Sequence, residues 1–382
     1  MTIPAEAVIA GGKAVAWLWD KYGKALADTA AENLKKKWAE VQWVEAAQKY
    51  RARMLELHGT LRVLGKPKPV SLEGVFTDVF ILDRPSAFRR FNMAQLREDS
   101  GPLSSRQAER VSGLRRVTQP ESHRLFILGS PGAGKTTFLK YLTLQAARGK
   151  LDKIPIFVGL NEWGESDLEL LPFIARQFEI CAFPDALAFI EHILEEGDAL
   201  VLFDGLDEVR QEGEQRAKVV KVIRDFSNQY LKSQVVVTCR VAATEYELSD
   251  KFTYVELADF TEDQMRAYAR KWFGDDVKKS KAFEADFFDK AEHRRLREMG
   301  RTPLLLAMLC LHFEETQTFP PTARGVVRGG AGRAAQEVGC LAQHPPRRGV
   351  PQALARTQAR AAGDAGGGDV REGRAFLRPG RP

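Results

Sequence analysis

The chain has 382 residues and is 44% hydrophobic, enough to bury the cores of two or three domains. Its formal charge of +6 is misleading, because the last 62 residues hold 11 Arg, no Lys and four acids. The preceding 320 residues carry 46 basic and 47 acidic side chains, so the folded body is neutral and no specific nucleic-acid binding is expected from it. Four cysteines without CxxC or Cys/His spacing exclude a zinc site and fit reduced thiols in a cytoplasmic protein. No signal peptide is evident, and the apolar stretch from Ile3 to Trp19, broken by Glu6 and Lys13, is too short to span a bilayer.

Residues 1–60 read as an N-terminal helical region. Leu26, Ala30, Leu34, Trp38, Val41, Val44, Ala47, Tyr50, Met54 and Leu57 recur at three- and four-residue steps and form one apolar stripe. Trp17 and Trp19 fit core packing best, with a membrane surface or a partner as the other reading. Residues 61–120 read as a connector. Lys66-Pro67-Lys68-Pro69 is not helical, Val75 to Leu82 predicts one strand, and Ser86 to Arg115 is polar and expected to be partly mobile.

From 121 to 258 strands and helices alternate. Strands are predicted at Leu125–Leu128, Ile154–Leu160, Ala199–Phe203, Gln234–Thr238 and Thr253–Leu257. This spacing predicts an α/β fold, a parallel sheet with helices on both faces and ligands at the carboxyl ends of its strands. The first strand runs into Gly129-Ser130-Pro131-Gly132-Ala133-Gly134-Lys135-Thr136-Thr137, and a helix follows. Strand, glycine loop and helix are the context of a phosphate-binding P-loop. The backbone amides and helix N-terminus face the phosphates, Lys135 reaches the β- and γ-phosphates, and Thr136 ligates Mg²⁺. The alternative is an ordinary Gly-rich turn.

The apolar run Ala199 to Phe203 ends in Asp204-Gly205-Leu206-Asp207-Glu208, the shape of a Walker B strand. Asp204 is placed at the Mg²⁺, Glu208 polarises the attacking water, and Asp207 supports the metal shell or water network. Val235 to Arg240 brings Arg240 to a third strand tip as a γ-phosphate sensor or, alternatively, a surface arginine. No NKxD-like motif supports guanine, so ATP is favoured over GTP. Residues 259–320 are helical again, with a capping box at Thr261 and Gln264 and a strongly apolar helix opened by Pro303.

Residues 321–382 contain 12 Gly, 12 Ala, 11 Arg and 6 Pro and keep no helix or strand period. All four residue types share GC-rich codons. The switch predicts a disordered stretch read out of frame from about Thr322–Gly325; the alternative is a native Arg/Gly-rich tail able to bind RNA.

Five stretches together resemble the NACHT domain of STAND-class P-loop ATPases: Gly129–Thr137, Asp204–Glu208, Thr238–Arg240, Glu256–Gln264 and Thr302–Leu306. The resemblance covers about residues 120–318 and extends to the N-terminal helical regions of prokaryotic members. It implies a 121–258 nucleotide-binding domain, a 259–320 first helical domain, and Pro303 lying against the adenine. It also implies an ADP-bound closed monomer that a trigger opens, exchange for ATP, and a homo-oligomer in the ATP state. Slow hydrolysis resets the switch, often in bacterial antiphage defence. The family's winged-helix domain and its ADP-contacting histidine are expected near 320. Nothing there matches them, so a chain lacking that lid and the sensor is expected. The competing readings are an AAA+-like ATPase acting on DNA or protein, and a non-hydrolysing ADP-bound scaffold.

Overall fold

The computed structural model describes residues 33–63, 66, 68–82, 110–119, 121–183, 185–209, 215–241 and 251–319. The readings of Trp17, Trp19 and the 321–382 stretch lie outside these residues. A long helix, α1 (Asn33–His58), leads into two short paired strands, β1 (Thr60–Leu61) and β2 (Val70–Ser71). A single helical turn, α2 (Leu72–Val75), is followed by β3 (Phe80–Leu82), β4 (Arg110–Ser112) and α3 (Gly113–Thr118). The alternating part is β5 (Arg124–Gly129), α4 (Lys135–Ala147), β6 (Ile154–Gly159), α5 (Leu160–Gly164), α6 (Leu170–Glu179), α7 (Ala186–Glu196), β7 (Ala199–Asp204), α8 (Gln215–Gln229), β8 (Gln234–Arg240) and β9 (Thr253–Leu257). Four helices close it: α9 (Glu262–Phe273), α10 (Val277–Asp289), α11 (Arg294–Gly300) and α12 (Pro303–Thr316).

Seven strands form one sheet in the order β4-β3-β9-β5-β8-β7-β6. The five from β9 to β6 are parallel, and β3 and β4 add antiparallel to the β9 edge. The predicted parallel sheet covered by helices is therefore what the chain builds, with two antiparallel strands beyond it. The parallel strands are apolar almost throughout because both faces are covered. Along β5, Phe126 and Leu128 enter one core with α1, α6, α7 and α8, whereas Leu125 and Ile127 enter the other with α4, α9, α10 and α12. β5 lies between β8 and β9, and the chain leaving it crosses to β6 at the far edge. That reversal opens a crevice at the carboxyl ends of β5 and β8.

The end of α1 is part of this core. Ala46, Ala47, Tyr50 and Met54 are buried on the sheet, and the Tyr50 ring stacks on Phe178 at 4.1 Å. The Tyr50 hydroxyl donates to the Pro155 carbonyl at 2.7 Å. Leu57, the last residue of the predicted stripe, is 51% exposed. At 100° per residue the stripe drifts, and His58 is buried in its place, its ring 4.5 Å from that of Phe157. We expect Tyr50→Ala to lower unfolding stability by about 3–5 kcal/mol, as for other buried aromatics, and Tyr50→Phe by about 1 kcal/mol. Chemical denaturation measures both, and an Ala variant as stable as the parent would place α1 outside the cooperative core.

The connector differs from expectation. Only Phe80–Leu82 of the predicted Val75–Leu82 strand joins a ladder, and Val75 ends a helical turn. The groups a longer ladder would use are taken by α9. Lys271 Nζ donates to the Phe76 carbonyl, and Gln264 Nε2 donates to the Asp78 carbonyl at 2.6 Å. The polar Ser86–Arg115 stretch ends in order, as Arg110–Ser112 pairs with β3. Gly113 then lets the chain pass so close that a Cβ would stand 2.8 Å from Phe138.

Helix α9 begins with the expected capping box, Thr261 Oγ1 accepting from Gln264 N–H at 3.2 Å and Gln264 Oε1 from Thr261 N–H at 2.8 Å. Pro303 opens α12. Phe273, Phe283, Phe287, Phe313 and Phe319 pack edge-to-face and tilted in the core of these four helices. Cys181, Cys239 and Cys310 are buried free thiols. Among the described residues no helix is long and apolar enough to cross a membrane.

Candidate nucleotide-binding site

A cleft of about 340 Å³ opens at the crevice beside β5. Its floor is the loop between β5 and α4. Gly132 and Gly134 have φ of +77° and +90°, a region that side chains with a Cβ rarely enter, and both line the cleft. A Cβ on Gly132 would stand 2.7 Å from Cβ of Leu304, so α12 rests directly on the loop. The Leu304 N–H also donates to the Gly132 carbonyl at 3.3 Å. Lys135, in the first turn of α4, donates to the carbonyls of Gly129 at 2.9 Å and Ser130 at 3.3 Å. Burial lowers its pKa, opposed chiefly by the Asp207 charge.

Beside the loop, β7 and the turn after it deliver the acidic groups, and β8 delivers Thr238 and Arg240. The Asp204 carboxylate accepts from the Thr238 hydroxyl at 2.7 Å and from the Thr136 hydroxyl. Thr238 Oγ1 in turn accepts from the Gly205 N–H at 2.9 Å, so one buried hydroxyl locks the strand end. Burial raises the Asp204 pKa while those two hydroxyl hydrogen bonds hold it down. Gly205 has φ of +78° and starts a 3-10 turn at Leu206–Glu208. Asp207 faces Arg240, with Nε to Oδ2 at 2.8 Å and the Arg240 N–H to Oδ1 at 2.9 Å. The structure thus places Asp207 against Arg240. The Glu208 pKa is raised by burial and by the nearby Asp204 and Asp207 charges.

Among the residues singled out from sequence, Pro131, Gly132, Ala133, Gly134, Lys135, Thr136 and Thr137 line this one cleft. Asp204, Asp207, Glu208, Arg240 and Pro303 line it too. Gly129 and Ser130 do not, and they contribute the carbonyls that hold Lys135. The oxygens of Thr136 and Asp204 are hard donors brought side by side, a set that suits Mg²⁺ completed by phosphate and water. Sequence reasoning missed the far wall, where Val63, Thr77, Val79, Phe260 and Tyr268 gather from the connector and α9. No spacing marks them, since the wall exists only once β3 is docked on β9.

A glycine loop between a central parallel strand and a helix, with a carboxylate at the tip of β7, one strand beyond β8, defines a P-loop NTPase. Residues 123–276 match the model of the NACHT domain, and this part of the chain is a P-loop NTPase domain similar to that family. Solved structures with a similar trace share few residues with it. One is a STAND protein with a tetratricopeptide repeat sensor from Pyrococcus horikoshii, 15% identical over 58% of this chain, TM-score 0.34. Another is the Holliday junction branch migration motor RuvB of Thermotoga maritima, 12% identical over 54% of this chain and 60% of its own, TM-score 0.28. A third is AMPPCP-bound DnaA from Aquifex aeolicus, 12% identical over 60% of this chain and 88% of its own, TM-score 0.29. This chain spans 32% of the length of the Pyrococcus protein. No curated protein matches the sequence significantly.

Proposed function

We propose that the chain is a cytoplasmic ATP/ADP switch that hydrolyses ATP slowly and serves signal transduction, in bacteria as antiphage defence. The observation that carries this reading is the meeting, in one cleft, of Lys135, the Asp204–Thr136–Thr238 cluster and Glu208, with α12 resting on the loop through Leu304. Lys135 and the loop amides bind the phosphates. Thr136 and Asp204 hold Mg²⁺, which neutralises charge on the phosphate oxygens when bound. Glu208 orients and deprotonates the attacking water, and Arg240, steered by Asp207, faces the γ-phosphate. Because α12 touches the loop that surrounds the phosphates, nucleotide state and helix position are coupled, which is what a two-state switch requires. Pro303, next to Leu304, covers the base. In the ATP state the opened form assembles with further copies in response to an unidentified trigger.

The wall of the cleft offers the base a contact of its own. Thr77 is 8% exposed, lines the apolar end of the cleft, and its hydroxyl has no hydrogen-bond partner among the described residues. Such a group costs about 1–3 kcal/mol until a ligand satisfies it. A hydroxyl that both donates and accepts can serve the edge of either purine, so the preference for adenine rests on the missing NKxD-like motif and the family resemblance. Titration with fluorescent mant-ATP and mant-GTP tests both parts. We expect mant-ATP to bind at least about tenfold tighter, and Thr77→Val to weaken it about 5–10-fold. Failure to bind either nucleotide would overturn the switch, and equal affinity would overturn the adenine assignment.

A further inference from the structure

Glu208 is held in an unusual way. Its carboxylate lies over Gly205, with Oε2 3.1 Å from where a Cβ would stand, and no group among the described residues hydrogen-bonds to it. Its aim is therefore set by the backbone of the turn. Within the turn one bond contributes, Glu208 N–H to the Gly205 carbonyl at 3.0 Å. The rest comes from Arg216, in the first turn of α8 and 8% exposed. Its Nη2 donates to the carbonyls of Asp207 and Val209, both at 2.8 Å, and its Nε donates to Val209 at 3.1 Å. One guanidinium thus grips the carbonyls of the residues on either side of Glu208. Asp207 is held from the opposite side by Arg240.

We propose that Arg216 is a positioning residue for Glu208, fixing the angle at which its carboxylate meets the water in front of the γ-phosphate. The assignment rests on the reading of the cleft as an ATPase site. The chemistry requires arginine. Two carbonyls pointing the same way match the planar, forked donors of a guanidinium, whereas a lysine ammonium reaches them as a flexible point donor. The start of α8 has a second anchor, Gln215 Nε2 to the Gly164 carbonyl, so the helix does not depend on Arg216 for its place.

The test compares the full chain with Arg216→Lys and Arg216→Met in three measurements: mant-ADP affinity, single-turnover hydrolysis of radiolabelled Mg·ATP, and amide hydrogen exchange by mass spectrometry. In Arg216→Met we expect hydrolysis to slow about 10–100-fold, the loss typical of a catalytic group displaced by an ångström, with mant-ADP affinity within about threefold. Arg216→Lys should fall between it and the parent. Exchange should accelerate in peptides covering 205–209 and stay unchanged over 129–137. An Arg216→Met variant that hydrolyses ATP at the parental rate overturns the proposal. So does a parallel loss of affinity with exchange rising in the P-loop as well, because that pattern marks a general structural role. A parent chain without any turnover is a different failure: it overturns the hydrolytic reading itself, and the role of Arg216 with it.

Discussion

Replacing Lys135 by alanine should weaken nucleotide binding about 100-fold or more. The ammonium is held at the mouth of the loop by the Gly129 and Ser130 carbonyls, 2.9 and 3.3 Å away, and points where the phosphates arrive. Binding exchanges these neutral acceptors for charged phosphate oxygens. Charge-assisted hydrogen bonds contribute about 1.5–3 kcal/mol each, and losing two corresponds to two or more decades in Kd. Partial burial, which disfavours the cation, means that phosphate relieves a desolvation cost on arrival. Thermal unfolding is the direct measurement. Saturating Mg·ATP should raise the Tm of the parent, because a ligand stabilises by RT ln(1 + [L]/Kd), and should raise that of the variant clearly less, a 100-fold weaker Kd removing up to about 2.7 kcal/mol of the stabilisation. The Tm without nucleotide should change little, since the two freed carbonyls lie at the cleft edge. A Lys135→Ala variant stabilised as strongly as the parent would remove the phosphates from this loop.

Glu208→Gln should separate binding from chemistry. Glutamine keeps the shape of the side chain but is not a base, so the attacking water loses its proton acceptor. General-base catalysis contributes about 10²–10⁴-fold, and we expect kcat to fall about 10²–10³-fold with ATP affinity within about threefold. The pH profile adds a second signature. Burial and the neighbouring Asp204 and Asp207 charges raise the Glu208 pKa. The active, deprotonated form is therefore lost as pH falls through a range above that of an ordinary glutamate. The parent should show this acid limb, and the residual rate of Glu208→Gln should not. Parental turnover in the variant would assign the base to another group and leave Glu208 as a surface carboxylate.

The glycine loop, the acidic strand end and the Arg240 strand tip were readable in the chain because each is a local pattern. Strand, loop and helix are adjacent in sequence, and Lys135 and Thr136 follow the last glycine directly. The five parallel strands were readable for the same reason, as apolar runs of five to seven residues separated by helix-length segments. β3 was readable only in part, since the α9 side chains Gln264 and Lys271 take the carbonyls that would have lengthened it. β4 was hidden altogether, because three residues ending a polar stretch carry no period of their own.

Local chemistry therefore made the phosphate loop legible, since a P-loop is built from consecutive residues whose backbone conformation the glycines permit. Distance decided the remainder. Thr77 becomes a wall of the cleft only after β3 docks on β9, Leu304 meets Gly132 only after α12 folds back onto the loop, and Arg216 reaches Asp207 and Val209 only when the first turn of α8 lies against the end of β7. Each of these is a contact between segments separated along the chain, formed by burial of apolar faces and by satisfaction of buried polar groups. Neither force leaves a mark at the level of single residues, so only the assembled structure shows that Thr77 lines the cleft and that Arg216 holds the Asp207 and Val209 carbonyls.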